Sequence, residues 1–560
     1  MPPPLPPTTA PSASPTLAPA TFDAALYAAL ALCTFLLWAS LGVMALMRRA
    51  RLVAVPESGV LLALGLVTGA AMRALGAAVP LVRAVQRLAS FNQELFFVVL
   101  LPPIVFDAGY QLPRDLLADN LGMVCGLAFL GTCVTMLVTG LLMYVAGQAM
   151  PGVVFQMDAL GCLVFGAVVS ATDPVAVLLV FTQLGVDSVL FILVLGESVL
   201  NDAVAIVLYD TTTAIPAAAR ASAAGPSPAL YAAEALNFCW IFLGSSLLGF
   251  ELACAAALFF KHAPLRDERA RKLETGAALV APFAAYFCSQ ALALSGITTV
   301  LVLGVFMGKY AKRNTTPETA AALASAYGAL AQTFEAFVFL YMGLAFSLVT
   351  DASDVDVGFA LVAVVAVTVA RAVHVALVLA LWNASRPPPK RVNFAGGLVV
   401  FLAGLRGPMA FALSAAAARA DPRNGAVIQT STVILIAVTL VVLSAVTPSA
   451  VRALGVDVQG AGTGHGRSSG TRAADARSRS CGDRVFAALA RFDEVHVEPC
   501  LCVSDVLHVS SETSESPGGP GGPPLEGRAP VESSRLESRL DSRVEDSEEG
   551  VVLQEPLEGR

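Results

Sequence analysis

Ser170-Ala171-Thr172-Asp173-Pro174 and Gly196-Glu197-Ser198-Val199-Leu200-Asn201-Asp202 decide how this chain is read. Both stretches lie inside long apolar runs, about thirty residues apart. A carboxylate at the centre of a membrane helix costs on the order of 2.5–3.5 kcal/mol on insertion scales, so membrane-embedded acids are functional candidates by default. Asp173, Glu197 and Asp202 are therefore the first residues to explain.

The surrounding composition supports a membrane setting. The chain has 560 residues, 56% hydrophobic and 14% charged, with a mean hydropathy of +0.72. That profile belongs to a membrane protein. The charge is unevenly placed. Residues 451–560 hold 12 Lys and Arg against 19 Asp and Glu, whereas residues 1–450 hold 23 of each. The formal charge of −7 is thus a property of a tail, and no nucleic-acid partner is expected. Seven of the ten cysteines sit in apolar segments, where they pack as small residues. Cys500-Leu501-Cys502 is too sparse for a zinc site. Residues 1–20 are rich in Pro, Ala and Thr, and no Lys or Arg occurs before Arg48. They read as a disordered lead rather than a signal peptide.

Apolar segments long enough to cross a bilayer fall at about 22–47, 56–75, 91–111, 119–147, 158–182, 188–214, 233–260, 273–294, 295–310, 322–349, 357–382, 394–418 and 427–447. The expected fold class is an all-α polytopic membrane protein of about thirteen spans over residues 21–450. If the spans alternate with the N-terminus outside, the inside loops carry 15 Lys and Arg and the outside loops 6. That agrees with the positive-inside rule and puts the C-terminus in the cytosol. Only Leu294-Ser295-Gly296 divides the pair 273–310, and fusing its halves would reverse the later basic loops. Residues 451–560 turn to Gly, Ser, Arg and Glu and read as a largely disordered acidic cytosolic tail. Within it, 484–492 has the pattern of a short amphipathic helix, suited to a regulator or the membrane surface or else weakly ordered.

On a helix, Ser198 lies one turn before Asp202 and Glu197 one turn before Asn201. Oxygen donors of this kind suit a hard monovalent cation that has shed part of its water. Removal from water raises a carboxylate's pKa. An acid such as Asp202 can then hold a proton near neutral pH, or release it and hold a cation, but not both. Competition for one carboxylate is the essence of antiport. The alternative is a polar group satisfied by a neighbouring helix, which the doubled polar step makes less attractive.

Asp173 before Pro174 has the form of an N-cap followed by the first helical residue. Proline within a membrane helix frees backbone carbonyls. The helix is expected to break here, exposing carbonyls and the Thr172 hydroxyl at mid-membrane. Asp173 then either caps the half-helix or touches the ion. A second break is expected at Ala403-Gly404-Leu405-Arg406-Gly407-Pro408, with Arg406 offsetting the negative helix ends. These breaks fall in the fifth and twelfth spans, matching places in two six-span repeats offset by seven, as transporter repeats require. Arg371 is the expected counter-ion of Glu197, which leaves Asp202 to titrate. Asp107, Glu274 and Glu335 are candidates for lining a route to the site, or for helix-end and pairing roles. His374, one turn from Arg371, reads as a packing residue.

Taken together, these residues resemble the eukaryotic sodium/proton exchangers of the cation:proton antiporter-1, solute carrier 9-like family. The resemblance runs from about Val55 to Val446. Its landmarks are Val55-Pro56-Glu57-Ser58, Leu101-Pro102-Pro103-Ile104-Val105-Phe106-Asp107-Ala108-Gly109-Tyr110, the Thr172-Asp173-Pro174 break, Gly196 to Asp202, Leu294-Ser295-Gly296-Ile297 and Gly404-Leu405-Arg406-Gly407. It implies inverted repeats with two broken, crossing helices. It implies a core domain and a dimerisation domain, working as a homodimer by an elevator-like movement. It implies Na⁺, with K⁺ or Li⁺ as alternatives, bound at Asp202 with Asn201, Ser198, Thr172 and Asp173 around it. It also implies a Glu197–Arg371 pair and a structural Arg406. Asn at position 201 goes with electroneutral exchange in this family. No cofactor is implied beyond the transported ions, and no enzyme activity. The chain departs from the family in having Pro408-Met409 after Gly407, where Ala is usual, and in a short tail.

The leading function is secondary antiport of Na⁺ for H⁺ in the plasma membrane or an endomembrane. A transporter-derived sensor without turnover is the alternative. An intramembrane aspartyl protease is disfavoured because no Gly-x-Gly-Asp motif is present. The sequons Asn314-Thr315-Thr316 and Asn383-Ala384-Ser385 lie at predicted cytosolic span ends. Peptide N-glycosidase treatment of protein from a eukaryotic host is expected to leave its mass unchanged. A glycan on either asparagine would invert the assigned topology.

Overall fold

Each of the thirteen predicted apolar segments contains helix, two of them interrupted, in the computed structural model, which describes residues 19–50, 56–88, 93–173, 175–221, 228–262, 268–349, 355–385, 391–421, 423–455 and 491–502. The N-terminal lead through residue 18, Pro174, and tail residues 456–490 and 503–560 lie outside the described residues. So does most of the predicted amphipathic helix over 484–492.

The first three spans are α1 (Pro19–Arg49), α2 (Glu57–Ala78) and a composite, with a short amphipathic α3 (Pro80–Leu88) between the second and third. In the composite, α4 (Gln93–Leu95) runs through a π turn at Phe96–Leu100 into α5 (Leu101–Tyr110). α6 (Arg114–Cys125) continues through a second π turn, Gly126–Gly131, into α7 (Thr132–Ala149). The fifth span is split into α8 (Ala159–Val168) and α9 (Val175–Leu184). Then come α10 (Ser188–Ala221), α11 (Pro228–His262), α12 (Glu268–Ala291) and α13 (Gly296–Phe306), the last extended by a π turn at Met307–Ala311 and α14 (Lys312–Asn314). After α15 (Pro317–Val349) and α16 (Val357–Ala384), the twelfth span is split into α17 (Phe394–Leu402) and α18 (Pro408–Ala420), and α19 (Gly425–Ala453) closes the series. Among the described residues there is no strand, only one isolated bridge at Pro151 and Val154.

Eight described helices are individually long and apolar enough to cross a membrane. The remaining predicted spans fall short for visible reasons. Two are broken in the middle, two contain π turns, and α12 opens with a charged turn. The division inside 273–310 is genuine. Ala293 turns the chain with φ 54°, and the Ser295 hydroxyl caps α13 by accepting from the Thr298 N–H. The Ser295 N–H in turn donates to Ser245 Oγ on α11 at 2.8 Å.

The helices sort into two groups by what they pack against. In one, α2 lies along α15, and α13 packs on α5, α11 and α12, with α15 also on α5 and α1. In the other, α7 packs on α8 and α16, α19 on α16 and α18, and α10 on α6 and α8. The long helices α10 and α11 join the groups edge to edge. The second group contains both split spans, and the site lies in it.

Close backbone approach binds the first group. Gly65 on α2 and Gly343 on α15 face one another across the crossing. A Cβ on Gly343 would lie 2.8 Å from Leu66 N, and one on Gly65 would lie 2.9 Å from Leu344 N. Small residues at such crossings let dispersion and backbone contacts drive helix association within lipid. Gly343→Val is therefore expected to separate α2 from α15 and to cost on the order of 1–3 kcal/mol by overpacking. Thermal unfolding in detergent would report it as a lowered midpoint. Gly276→Ala, with nothing within 4 Å of the added carbon, is the neutral control.

Candidate functional site

The split spans meet at their breaks. α8 ends at Val168, and Ser170, Ala171 and Thr172 continue as non-helical, fully buried backbone. Broken helices leave carbonyls and N–H groups that lipid cannot satisfy. Here the partner break satisfies them. The Asp173 N–H donates to Leu405 O at 2.9 Å. Arg406, completely buried, donates through Nη1 to Ser170 O at 2.9 Å and Ala171 O at 3.0 Å. Its own N–H reaches Thr439 Oγ1 on α19 at 3.3 Å. Gly407 lets the second break lie against Asp173, since a Cβ there would come 2.8 Å from Asp173 Cγ. The guanidinium thus sits where the carbonyl end of α8 concentrates negative charge. Pro174, on which the helix-restart reading rests, is not among the described residues, and Val175 is the first described residue of the second half.

The break delivers Thr172 to α10. Asn201 Nδ2 donates to Thr172 Oγ1 at 2.5 Å. The Thr172 N–H points at Asn201 Oδ1 at 3.5 Å. Thr172 Oγ1 and Ser198 Oγ are 3.2 Å apart. Thr172, Ser198 and Asn201 are each about 98–99% buried. Asp202 follows directly. Its Oδ1 is shielded from solvent and has no hydrogen-bond partner, and Asp173 and Arg406 are the charged groups that act on it. An unpartnered carboxylate oxygen beside a knot of buried hydroxyl and amide groups is costly unless something binds it.

Glu197 is different. It forms a two-pronged pair with Arg371, one prong from Nη1 and the other from Nη2 at 3.1 Å. Both residues are at least 95% buried. Nη2 also donates to Val400 O near the end of α17 at 2.7 Å. Gly404 gives the guanidinium room, because a Cβ there would lie 2.7 Å from Arg371 Nε. His374 Nδ1 is 3.3 Å from Arg371 Nη1 and 3.2 Å from Thr135 Oγ1 on α7. The Thr135 hydroxyl also contacts Gly131 O at 2.9 Å. One ion pair with its neighbours therefore ties together α7, α10, α16 and α17.

The three remaining carboxylates lie elsewhere. Asp107 on α5 accepts from Gln111 one turn on, at 2.5 Å. Glu274 on α12 is buried near Thr316 and Thr319 at the start of α15, and its Oε2 has no hydrogen-bond partner among the described residues. Glu335 on α15 has Asp173 and the Arg48–Glu57 pair as its charged neighbours. That pair, at 2.9 Å, joins the end of α1 to the start of α2. Sequence reasoning counted Arg48 only as a topology signal and missed the pairing. It missed Thr135 as well. Threonines are common in membrane helices, and nothing in the sequence distinguishes this one.

Residues 35–454 match the family model described as sodium/hydrogen exchanger, transmembrane. The chain belongs to that family. It is 34% identical over 368 residues to sodium/hydrogen exchanger 5 of Arabidopsis thaliana, covering 66% of this chain and 69% of that one. It is 30% identical over 421 residues to human sodium/hydrogen exchanger 8, covering 74% and 69%. It is 37% identical over 344 residues to rat sodium/hydrogen exchanger 9, covering 60% and 52%. The sodium proton antiporter MjNhaP1 of Methanocaldococcus jannaschii, solved at pH 8, shares the fold with a TM-score of 0.57 at 19% identity, over 77% of this chain and 98% of that one. This chain is accordingly a multi-pass integral membrane protein of a transporter family.

Removing one partner of a buried ion pair leaves an uncompensated charge and costs roughly 3–5 kcal/mol. Arg371→Met is expected to lower the thermal midpoint far more than the double change Glu197→Gln with Arg371→Met. The comparison is made by thermal unfolding of both variants in the same detergent. Equal midpoints would show that the pair does not hold the bundle.

Proposed function

We propose that this chain exchanges Na⁺, with K⁺ or Li⁺ as further substrates, for H⁺, and that Asp202 is the carboxylate for which the two ions compete. The observation that carries the reading is the unpartnered, shielded Asp202 Oδ1 beside the Thr172–Ser198–Asn201 knot. Protonated, the carboxyl is neutral and tolerates its surroundings. Deprotonated, it needs a cation, and the hydroxyls of Ser198 and Thr172, 3.2 Å apart, and the carboxylate of Asp173 are the oxygens we assign to replacing the ion's water. Asn201 is neutral and Glu197 is neutralised by Arg371, which supports a single titrating group at the centre. One carboxylate that carries one cation one way or one proton the other gives electroneutral exchange.

The division into two helix groups supports an elevator-like cycle. The group with the crossed breaks would move as a body, held together by Arg371 and Arg406, against the group built on α2, α13 and α15. The exposed aromatic and aliphatic faces of α1 and α11, among them Trp38 and Trp240, suit lipid and the interface of a homodimer. An N-terminus outside or in the lumen and a cytosolic C-terminus follow from the basic loops. The charged neighbours of Glu335 make it the best candidate for an approach from the Arg48 end of α1. Asp107 is bound by Gln111 and suits a supporting role, and the buried Glu274 at the α12–α15 contact suits one too.

Purified protein in liposomes with an internal pH dye is expected to alkalinise or acidify the lumen with the direction of an imposed Na⁺ gradient. The rate should not change when valinomycin clamps the membrane potential. Asp202→Asn is expected to reduce flux by at least about 100-fold, as removal of the proposed proton-carrying group implies. Wild-type flux in Asp202→Asn would overturn the assignment. Sodium binding without flux in the native protein would instead favour a sensor. Parallel K⁺ and Li⁺ gradients rank the substrates.

A further inference from the structure

Residues 491–502, well beyond the last span, return to the helix bundle. A helical turn at the start leads through a π turn at Asp493–Val497 into α20 (Glu498–Leu501). The segment lies against α11 and against the π turn that ends the ninth span. Its polar groups are matched one by one. Asp493 receives Lys309 Nζ and the Tyr310 hydroxyl. Glu498 pairs with Arg313. Lys261 Nζ donates to the carbonyls of Pro499 at 3.2 Å and Cys500 at 2.8 Å. A lysine on the last carbonyls of a short helix satisfies acceptors that the helix cannot. Asn314 Nδ2 bridges Leu501 O and Ala257 O, each at 2.8 Å.

The apolar end is seated too. Leu501 and Cys502 are each 6% exposed and join the same core as Phe260, Tyr310 and Ala311. Cys500, two residues earlier, is exposed. A segment that merely lay on the surface would leave both apolar residues wet. The cradle supplies two cations for two carboxylates spaced five residues apart, a lysine for the helix end, and a dry pocket after it. That is a recognition pattern for a peptide, built from charge-assisted hydrogen bonds.

We propose that Lys261, Lys309, Arg313 and Asn314 form a docking site for an acidic helical segment ending in an apolar pair, and that residues 491–502 of this same chain are its occupant. The site belongs to the helix group that lacks the crossed breaks, whereas the tail departs from α19 in the group that has them. The 35 residues between Gly455 and Arg491 can reach at most about 115–125 Å, so the docked segment does not by itself hold the two groups in one arrangement. It fixes where the tail meets the membrane domain. Whatever alters the charge of the tail near residue 493 or 498 acts on the ends of the seventh and ninth spans. This inference does not depend on which ion is transported.

The test uses the full chain in lipid nanodiscs, where both faces meet the reagent and membrane topology does not enter. A maleimide is applied, and labelling of Cys500 and Cys502 is read in one tryptic peptide, localised by fragmentation. Burial and a thiol pKa raised by it slow the reaction of Cys502, while Cys500 reports access. Cys502 is expected to label about tenfold or more slowly than Cys500. Asp493→Lys is expected to bring the ratio near one, and Asp493→Lys with Lys309→Glu to restore protection. Leu501→Asp, a change confined to the tail, should also abolish protection without touching a membrane helix. Equal labelling in the native chain, or protection that survives both Asp493→Lys and Leu501→Asp, overturns the proposal.

Discussion

The contact of Arg406 with the carbonyls of Ser170 and Ala171 is the constraint on which the site depends. A helix cannot stop in the middle of a bilayer without leaving backbone groups that no solvent will satisfy. Two helices can stop there if each completes the other. The α8 carbonyls accept from the Arg406 side chain, and the Leu405 carbonyl accepts from the Asp173 N–H. Glycine at 407 allows the two chains to lie that close. Removing the arginine would leave the buried carbonyls of Ser170 and Ala171 without its donors, and removing the break would leave the arginine as an uncompensated buried charge.

Everything at the candidate ion site follows from that crossing. Thr172 can approach Asn201 and Ser198 only because the backbone leaves the helix at Val168 and resumes at Val175. The Glu197–Arg371 pair works on a wider scale. It is bonded to the α17 carbonyl of Val400 and neighbours His374 and Thr135, so the helices around the crossing share one polar framework. Two buried arginines thus have distinct tasks. Arg406 completes the breaks, and Arg371 neutralises the acid beside the one that is left unpartnered.

Much of this was legible in the chain. Carboxylates inside apolar runs announced the site because they are costly in lipid. Proline marked both breaks, because it has no N–H to donate to a helix, and glycine marked the second, because it weakens a helix. The basic loops divided 273–310 correctly, and the structure shows Ser295 capping α13 where the sequence offered only three residues of separation. What was not legible depends on partners remote in sequence. Arg48 and Glu57 look like a topology signal and a helix start until they are seen 2.9 Å apart. The docked segment 491–502 was the least visible. Its two carboxylates and two apolar residues resemble the rest of an acidic tail, and only the cradle of Lys261, Lys309, Arg313 and Asn314 gives them meaning.

The sequence by itself determined the thirteen spans, the places where two of them break, and the family. Those properties rest on local hydrophobicity and backbone chemistry, which are read residue by residue. Only the tertiary structure showed that the expected Glu197–Arg371 pair closes through two prongs while Asp202 Oδ1 has no hydrogen-bond partner. It alone showed that Arg406 reaches across to the other break, and where part of the tail returns. Each is a matter of distance between groups up to 239 residues apart in the chain, and spacing along a sequence carries no such distance.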